Sequence, residues 1–310
     1  GSDSAVDMST NVLLYHLDEM ATSPNNHIED TSGQNNDSEN FSEAVEGTQK
    51  LDDDFTSYAD QTSADTKWIP QDTAKTRVNI ASDYIDWRAV NDGSNDAISY
   101  DLGTVLDDTW ITRFQLEITN ADNSGLAPGQ DRNQLAVGLF DQPSSTTYNS
   151  NHEGIYLQLH LDRDGTDRTY FSRADGQQLD QLNSQVTNFS TTTYYVEIKR
   201  TASGSATMTI YSDSSYSSTT LNTPVTLTNV AGVSDLQYFA IKNSHYNYGS
   251  DITGKVYNVQ VCNGVTDVAD CTTGSASTIP TFSTGIIQNQ IDSPQLTVKS
   301  TTLYDGTDSH

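Results

Sequence analysis

Three acidic residues lie close together in the segment DRDGTD, where Asp162, Asp164 and Asp167 surround Gly165. Carboxylate oxygens are the ligands that Ca²⁺ prefers, and carboxylates two positions apart on a turning loop can converge on one ion. The segment lacks the terminal bidentate Glu of an EF-hand. Two interpretations therefore stand, a calcium site and a hairpin turn in which Asp and Gly are expected for backbone reasons.

A second acidic loop, NDGSND, offers Asp92, Asn95 and Asp96 as further calcium ligands. The same composition is typical of a turn, so both interpretations are kept here as well. Ca²⁺ is the one cofactor that the sequence suggests.

Aromatic side chains near hydrogen-bonding groups could contact a sugar, because a flat ring covers the apolar face of a pyranose. The candidates for such a glycan contact are Trp68, His245, Tyr246 and Tyr248. The last three belong to the segment HYNYG, whose rings could instead pack on the edge of the protein. Trp87 and Trp110 fall in segments of alternating polarity, which favours a place in the core.

Catalytic patterns are missing from the sequence. Glycoside hydrolysis needs two carboxyl groups, but Glu117 and Glu197 each lack an acidic neighbour two positions away. There is no Gly-x-Ser-x-Gly elbow, and His152-Glu153 is not followed by the second histidine of a zinc protease. We therefore predict no catalytic residues and no enzyme, with a glycoside hydrolase as the least favoured alternative.

The two cysteines, Cys262 and Cys271, enclose a short loop, which favours a local disulfide over two free thiols. A metal site is disfavoured because no second Cys or His pair accompanies them. Three N-glycosylation sequons begin at Asn36, Asn40 and Asn188. Together with the acidic composition, these features predict an extracellular or cell-surface protein.

The formal net charge of −27 and a pI of about 4.1 limit the partners of the chain. Nucleic acid is excluded as a partner, because phosphate binding needs Lys and Arg to release counterions. Anionic membrane surfaces are disfavoured for the same reason. No segment approaches the roughly 20 apolar residues of a membrane span, so membrane insertion is not expected.

Short segments that alternate between apolar and polar residues occupy most of the chain after residue 75. In TYYVEIKR, for example, Tyr194, Val196 and Ile198 share one face of a strand. The predicted strands lie at 76–80, 84–90, 97–102, 109–119, 134–141, 154–161, 168–173, 193–201, 205–212, 236–243 and 252–262. Clusters of Gly, Asn, Asp and Pro separate them, which indicates an antiparallel sandwich or barrel. Two helical candidates remain, a Ser-capped turn at 63–70 ended by Pro70, and residues 174–184.

The opening strand NVLLYHLDE, the pair TYYVEIKRTASGSATMTIYSD and the late strand ITGKVYNVQV resemble the laminin-G-like branch of the concanavalin A-like domains. The resemblance covers roughly residues 11–262 and implies an all-β, antiparallel jelly-roll β-sandwich. In that fold the first and last strands are neighbours, so it implies that Val12–Leu17 pairs with Val256–Val261. Such modules are usually non-catalytic and occur in secreted and surface proteins of microbes.

The predicted domain organisation is a sandwich over residues 1–272 and an extended tail over 273–310. The sandwich includes an N-terminal strand at 11–18 and a polar excursion at 20–50, and the tail contains weak strand candidates at 285–291 and 295–299. Such a tail could dock on the sheet edge of a neighbouring subunit or domain.

Two functions follow from these observations. The first is a structural or adhesive protein of a microbial cell surface that self-associates, as a filament or repeat array, or binds neighbouring surface-protein domains. The alternative is a calcium-dependent, lectin-like module that binds glycans.

Overall fold

Alternating polarity along the chain produces two antiparallel sheets that stack face to face and bury one side of each strand. The structure, a computed structural model, describes residues 47–70, 76–89, 97–128, 131–143, 152–163, 167–177, 182–202, 204–243 and 251–272. They all lie in one of two compact units of the chain, Gly1–Thr273. The all-β, antiparallel jelly-roll sandwich predicted from the sequence and from the resemblance is confirmed.

The strands are numbered here in chain order. They are β1 (Gly47–Asp53), β2 (Trp68–Pro70), β3 (Arg77–Asn79), β4 (Tyr84–Ala89), β5 (Ala97–Asp101), β6 (Trp110–Asp122), β7 (Asp131–Phe140), β8 (His152–Asp162), β9 (Arg168–Gln177), β10 (Leu182–Asn188), β11 (Thr193–Ala202), β12 (Ser205–Tyr211), β13 (Val225–Leu227), β14 (Tyr238–Asn243), β15 (Asp251–Asn263) and β16 (Cys271–Thr272). All the strands predicted from alternation are present.

The nine-stranded sheet has the order β13-β12-β11-β6-β15-β1-β16, with β4 pairing β15 and β3 pairing β4. The seven-stranded sheet has the order β10-β9-β8-β7-β14-β5-β2. Early and late strands are thus neighbours in both sheets, as a jelly roll requires. The space between the sheets is filled by apolar side chains, including the fully buried rings of Trp87 and Trp110, whose predicted place in the core is confirmed.

The pairing predicted for Val12–Leu17 is wrong, although that segment itself lies outside the described residues. One edge of β15 pairs with β6 along its length. Its other edge pairs with β4 at 252–256 and with β1 at 259–263. A strand has only two edges, so Val256–Val261 has no place for a further partner. Residues 47–50, predicted as part of the polar excursion, form the start of β1 instead.

The helical predictions need two corrections. The first candidate is a true helix, α1 (Gln61–Lys67), but Asp60 caps it and Ser63 completes the capping box three residues later. The helix ends at Lys67, before Pro70, and Trp68–Pro70 form strand β2. The second candidate, 174–184, is not helical, because its described residues belong to β9 and β10, which pair antiparallel.

The last described strand, β16, lies beside the first, β1. Cys262 and Cys271, for which the sequence favours a disulfide, are joined with an S–S distance of 2.08 Å. This bond holds β16 parallel to the start of β1, where Gly47 opposes Cys271 and accepts a hydrogen bond from the hydroxyl of Thr272 at 3.0 Å. Among the described residues, no helix is long and apolar enough to cross a membrane.

The face of the seven-stranded sheet that points away from the core is also buried. Five of its side chains form a second, smaller apolar cluster: Ala136, Phe140, Tyr156, Ala174 and Ala240. The outer face of the nine-stranded sheet is different, because its tyrosine and charged side chains are mostly partly exposed.

Candidate functional site

A crevice opens at one edge of the sandwich, where β1 faces the end of α1 and strand β5 of the opposite sheet. It has a volume of about 540 Å³. We call it the edge crevice, and its lining residues are Gln49, Lys50, Leu51, Asp52, Asp53, Asp54, Ser57, Tyr58, Lys67 and Tyr100. Most of the lining side chains can form hydrogen bonds and few are apolar, so the crevice is suited to a polar ligand.

The carboxylate of Asp53 organises the crevice from its floor, where only 7% of the residue is exposed. One oxygen accepts a hydrogen bond from the backbone N–H of Phe55 at 2.7 Å. The other accepts from Nε1 of Trp68 at 2.7 Å and from the hydroxyl of Tyr58. A buried carboxylate is costly unless it is hydrogen-bonded, so these three donors explain why Asp53 can lie inside.

The turn that follows Asp53 is held in an unusual backbone conformation. Phe55 has a φ of +65°, the left-handed region that non-glycine residues rarely adopt. Its ring is fully buried and lies 5.4 Å from the ring of Trp68. Such a conformation costs about 1–3 kcal/mol and persists only when the surroundings enforce it. The bond from Phe55 to Asp53 and the buried ring enforce it here.

Two tyrosines form the walls of the crevice. Burial raises the pKa of Tyr58, and its hydrogen bond to Asp53 raises it further. Burial and the charges of Asp53 and Asp101 raise the pKa of Tyr100, whose ring lies 5.3 Å from that of Trp68. Both phenols therefore stay neutral at ordinary pH.

Charged groups of both signs line the opening. Hydrogen bonds from the hydroxyl and the backbone N–H of Thr56 lower the pKa of Asp54, which keeps that carboxylate ionised. Asp52 accepts a bond from the amide of Gln260 at 3.2 Å. Neither Lys50 nor Lys67 forms an ion pair within the part of the chain that the structure describes.

The predicted calcium residues of DRDGTD are engaged with the protein. Asp167 accepts from the backbone N–H of Asp162 at 3.1 Å and from the amide of Asn123 at 3.4 Å, as in a hairpin turn. The carboxylate of Asp162 lies 3.3 Å from the guanidinium of Arg168. Asp164 is outside the described residues. In the described ranges no three His, Cys, Asp or Glu residues are grouped as a metal site would need.

The predicted glycan contact at Trp68 needs correction. The ring is fully buried between the sheets and its Nε1 is satisfied by Asp53, so it has no face to offer a sugar. Its role is to support the crevice from behind. The other predicted glycan and calcium residues lie outside the described residues: His245, Tyr246, Tyr248, Asp92, Asn95 and Asp96.

Of the three predicted glycosylation sites, only Asn188 falls in the described ranges, at the end of β10, and it is exposed. Asn36 and Asn40 lie outside them.

The crevice residues are those that sequence reasoning missed. They come from β1, the turn after it, the end of α1 and β5, and no single segment shows a recognisable motif. The one signal in the sequence was the acidic run Asp52–Asp54, which indicates a solvated surface. In the structure its middle residue, Asp53, is buried.

Comparison with known proteins gives similarity at the level of structure only. No known protein family matches the sequence, and no curated protein does. Among solved structures, arcelin-5, a lectin-like defence protein from Phaseolus vulgaris, is 11% identical with a TM-score of 0.46, over 71% of this chain and 99% of that one. The alginate lyase Aly36B is 9% identical with a TM-score of 0.45, over 68% and 95%.

A third similar structure is the exoplasmic domain of VIP36 in a form that holds Ca²⁺ and Man3GlcNAc. It is 10% identical with a TM-score of 0.43, over 64% of this chain and 85% of that one. At such identities the likeness concerns the fold alone.

Proposed function

We propose that this chain is a non-catalytic, extracellular glycan-binding module and that the edge crevice holds a sugar ring. The observation that carries the proposal is the crevice itself, in which two partly buried tyrosines and charged groups of both signs surround a pre-set turn. The fixed turn lowers the ordering cost of binding, because the site does not have to form around its ligand.

The chemistry of the lining matches that of a saccharide. A sugar hydroxyl both donates and accepts hydrogen bonds, so it needs partners of both kinds. Lys50 and Lys67 donate, while the carboxylates of Asp52 and Asp54 accept. The apolar face of a pyranose can pack against a tyrosine ring, and the hydroxyl of Tyr58, which donates to Asp53, can still accept a hydrogen bond.

A non-catalytic role is supported by the state of the crevice carboxylates. A glycosidase needs one carboxyl group that keeps its proton, which requires a raised pKa. The pKa of Asp54 is lowered instead. Asp53 uses its oxygens for three donors of its own chain, which leaves it a structural role.

An extracellular location is supported by the disulfide between Cys262 and Cys271, since disulfides persist in oxidising surroundings. The exposed Asn188 at the start of a sequon is consistent with the same location.

A structural or adhesive role through strand addition is the second candidate. It is favoured by the outer edge of β1, which pairs with β16 only at Gly47 and Thr48 and with no other described strand beyond them. An open edge can accept an extended segment. Sedimentation velocity over a range of concentrations tests it, and a single-chain mass throughout would rule it out.

A glycan array tests the main proposal. We expect the wild-type chain to bind a subset of oligosaccharides and the double variant Lys50→Ala/Lys67→Ala to lose that signal, because its charged donors are gone. Arg88→Ala removes an exposed cation away from the crevice and is the matched control. Equal binding by wild type and the double variant would contradict the proposed site.

Repeating the array with a chelator tests the calcium prediction at Asp162, Asp164 and Asp167.

A further inference from the structure

The outer face of the nine-stranded sheet carries a straight row of side chains that crosses five strands. Residue pairing places Tyr257 of β15 opposite Gln115 of β6, Gln115 opposite Tyr195 of β11, and Tyr195 opposite Tyr211 of β12. At the β4 end, the ring of Tyr84 lies 5.3 Å from that of Tyr257. We call these five residues the tyrosine row, and all five are partly exposed.

One end of the row is fixed by contacts with charged neighbours. The hydroxyl of Tyr257 donates to Glu117 at 2.7 Å. The ammonium of Lys255 lies 4.6 Å from the ring centre of Tyr84 and 3.8 Å from Glu117. Cations over aromatic rings are attracted by the ring quadrupole, so Lys255 helps to hold Tyr84 in place.

The other end of the row is fixed by a loop that folds back over the sheet. Tyr216 packs against Tyr195 at 6.0 Å and against Tyr211 at 5.4 Å, and burial raises the pKa of Tyr216 to about 12. The guanidinium of Arg113 lies 4.4 Å from its ring centre and donates to Glu197 at 2.8 Å. The rings at this end are therefore pre-positioned.

The charges around the row are close to balance, in contrast with the chain as a whole. The protein has 42 acidic and 15 Lys and Arg residues. Beside the row there are four acidic and three basic side chains: Asp86, Glu117, Glu197, Asp213, Arg113, Lys199 and Lys255. A nearly neutral surface on a protein of net charge −27 is suited to an uncharged ligand, because little net charge has to be offset on binding.

We propose that the tyrosine row binds an extended, uncharged polysaccharide that lies across the strands. Neighbouring strands are about 4.8 Å apart, so the row is roughly 19 Å long. A pyranose ring is about as wide as one strand spacing, so successive sugars can meet successive strands. This inference rests on the proposed function in that both assume a glycan ligand, but it assigns a separate surface and a longer ligand than the edge crevice takes.

Hydrogen bonding along the row supports an uncharged ligand. Tyr hydroxyls and the amide of Gln115 both donate and accept, as sugar hydroxyls require. A polyanion would have to approach through the field of the acidic chain, which disfavours it. A protein partner could also use tyrosine and arginine contacts, and sedimentation of the row variant distinguishes that case.

Affinity electrophoresis in gels cast with hydroxyethyl cellulose, mannan or dextran tests the proposal. We expect at least one of these to retard the wild-type chain. The double variant Tyr195→Ala/Tyr257→Ala should bind about tenfold or more weakly, because two ring contacts are lost. Thr207→Ala, which changes the same face beside the row, should be retarded like wild type. The crevice variant Lys50→Ala/Lys67→Ala should also be retarded like wild type.

A second measurement avoids dependence on the folding of the double variant. With wild-type protein, soluble oligosaccharides of the retarding polysaccharide should compete better as they lengthen and reach a plateau near five sugar rings, one per strand of the row. Competition that is complete with a single sugar would overturn the proposal.

The remaining outcomes separate this inference from the proposed function. If the array shows binding in the crevice but no gel retards the protein, or if only the crevice variant loses retardation, the tyrosine row is not a glycan surface while the proposed function stands. If the row variant instead abolishes self-association in sedimentation, the row is a protein interface and the inference is wrong. Binding of no glycan in either experiment contradicts both.

Discussion

The outer faces of the two sheets differ although their strands follow the same alternation. On the seven-stranded sheet, Phe140 and Tyr156 stack with ring centres 5.2 Å apart, and both are fully buried. On the nine-stranded sheet, Tyr84 and Tyr257 lie at a similar distance but remain partly exposed. An aromatic pair on a sheet face is therefore core on one side of this protein and surface on the other.

The neighbours of these rings account for the difference. On the seven-stranded sheet most of them are alanines, with the buried Lys242 over Phe140 as the exception. Gly138 leaves no room for a side chain, since an added Cβ would lie 2.5 Å from the carbonyl oxygen of Ile155. On the nine-stranded sheet the neighbours are long charged side chains such as Lys255 and Glu117, which keep the face hydrated. Polarity at each position, rather than the alternation, distinguishes a second core from a hydrated surface.

The lysines of the two faces also differ in their exposure to water. Lys242, on the seven-stranded sheet, is 1% exposed, donates to the carbonyl of Gln142 at 2.9 Å and lies 4.0 Å from the ring centre of Phe140. Lys255, on the nine-stranded sheet, also lies over a ring but keeps partial contact with water. A buried ammonium of this kind makes the stability of the protein sensitive to pH.

The largest expected effect comes from truncating one ring on each face. Tyr156→Ala should lower the free energy of unfolding by about 3–5 kcal/mol, because it leaves a cavity in a packed cluster. Tyr257→Ala should cost about 1 kcal/mol or less, the size of a cross-strand contact on an open face. Urea denaturation of both variants measures the contrast. Equal costs would mean that the two faces are alike.

A smaller effect is expected at Gly138. Gly138→Ala should destabilise the protein by about 1–3 kcal/mol, because its Cβ would meet the backbone of β8. Gly204 has nothing within 4 Å of an added Cβ, so Gly204→Ala is the matched control and should be close to neutral. Thermal unfolding of the two variants measures the difference in stability. A Gly138→Ala variant as stable as the control would contradict the close packing of this face.

The third effect concerns Lys242 and depends on pH. Burial lowers its pKa from 10.5 to about 7, and the nearby charge of Asp141 only partly opposes this. Between these two values the unfolded chain holds a proton that the folded protein has lost, so stability should rise with pH, by up to about 1.4 kcal/mol per pH unit. Below pH 7 both states are protonated and this contribution is flat.

The variant Lys242→Met removes the titrating group while keeping its length, so it should lose the slope between pH 7 and 10.5. Denaturant unfolding at a series of pH values measures this, with Lys255→Met as the exposed control that leaves the slope in place. An unchanged slope in Lys242→Met would show that another group is responsible.

Much of the fold could be predicted from the sequence, because period-two alternation and turn residues are local signals. Strand β1 was missed because only Leu51 in it is apolar, and the burial of Asp53 depends on Trp68 and Tyr58 further along the chain. Residues 174–184 contain several helix-forming residues, but pairing between β9 and β10 overrides that local preference.

The candidate sites could not be predicted, because they arise from residues that are distant in sequence. Trp68 was identified by type as a sugar platform, yet its Nε1 has a buried carboxylate partner and its ring belongs to the core. The tyrosine row depends on the register of five strands, and a shift of one residue in any of them would turn its side chain inward.

Glycan binding in the edge crevice is measured by calorimetric titration of an oligosaccharide identified on the array into the wild-type chain and into Lys50→Ala/Lys67→Ala. We expect a saturable crevice site in the wild type, its loss in the crevice variant, and its retention in Tyr195→Ala/Tyr257→Ala. Heat of binding that is the same in the wild type and the crevice variant would mean that the crevice is not the glycan site.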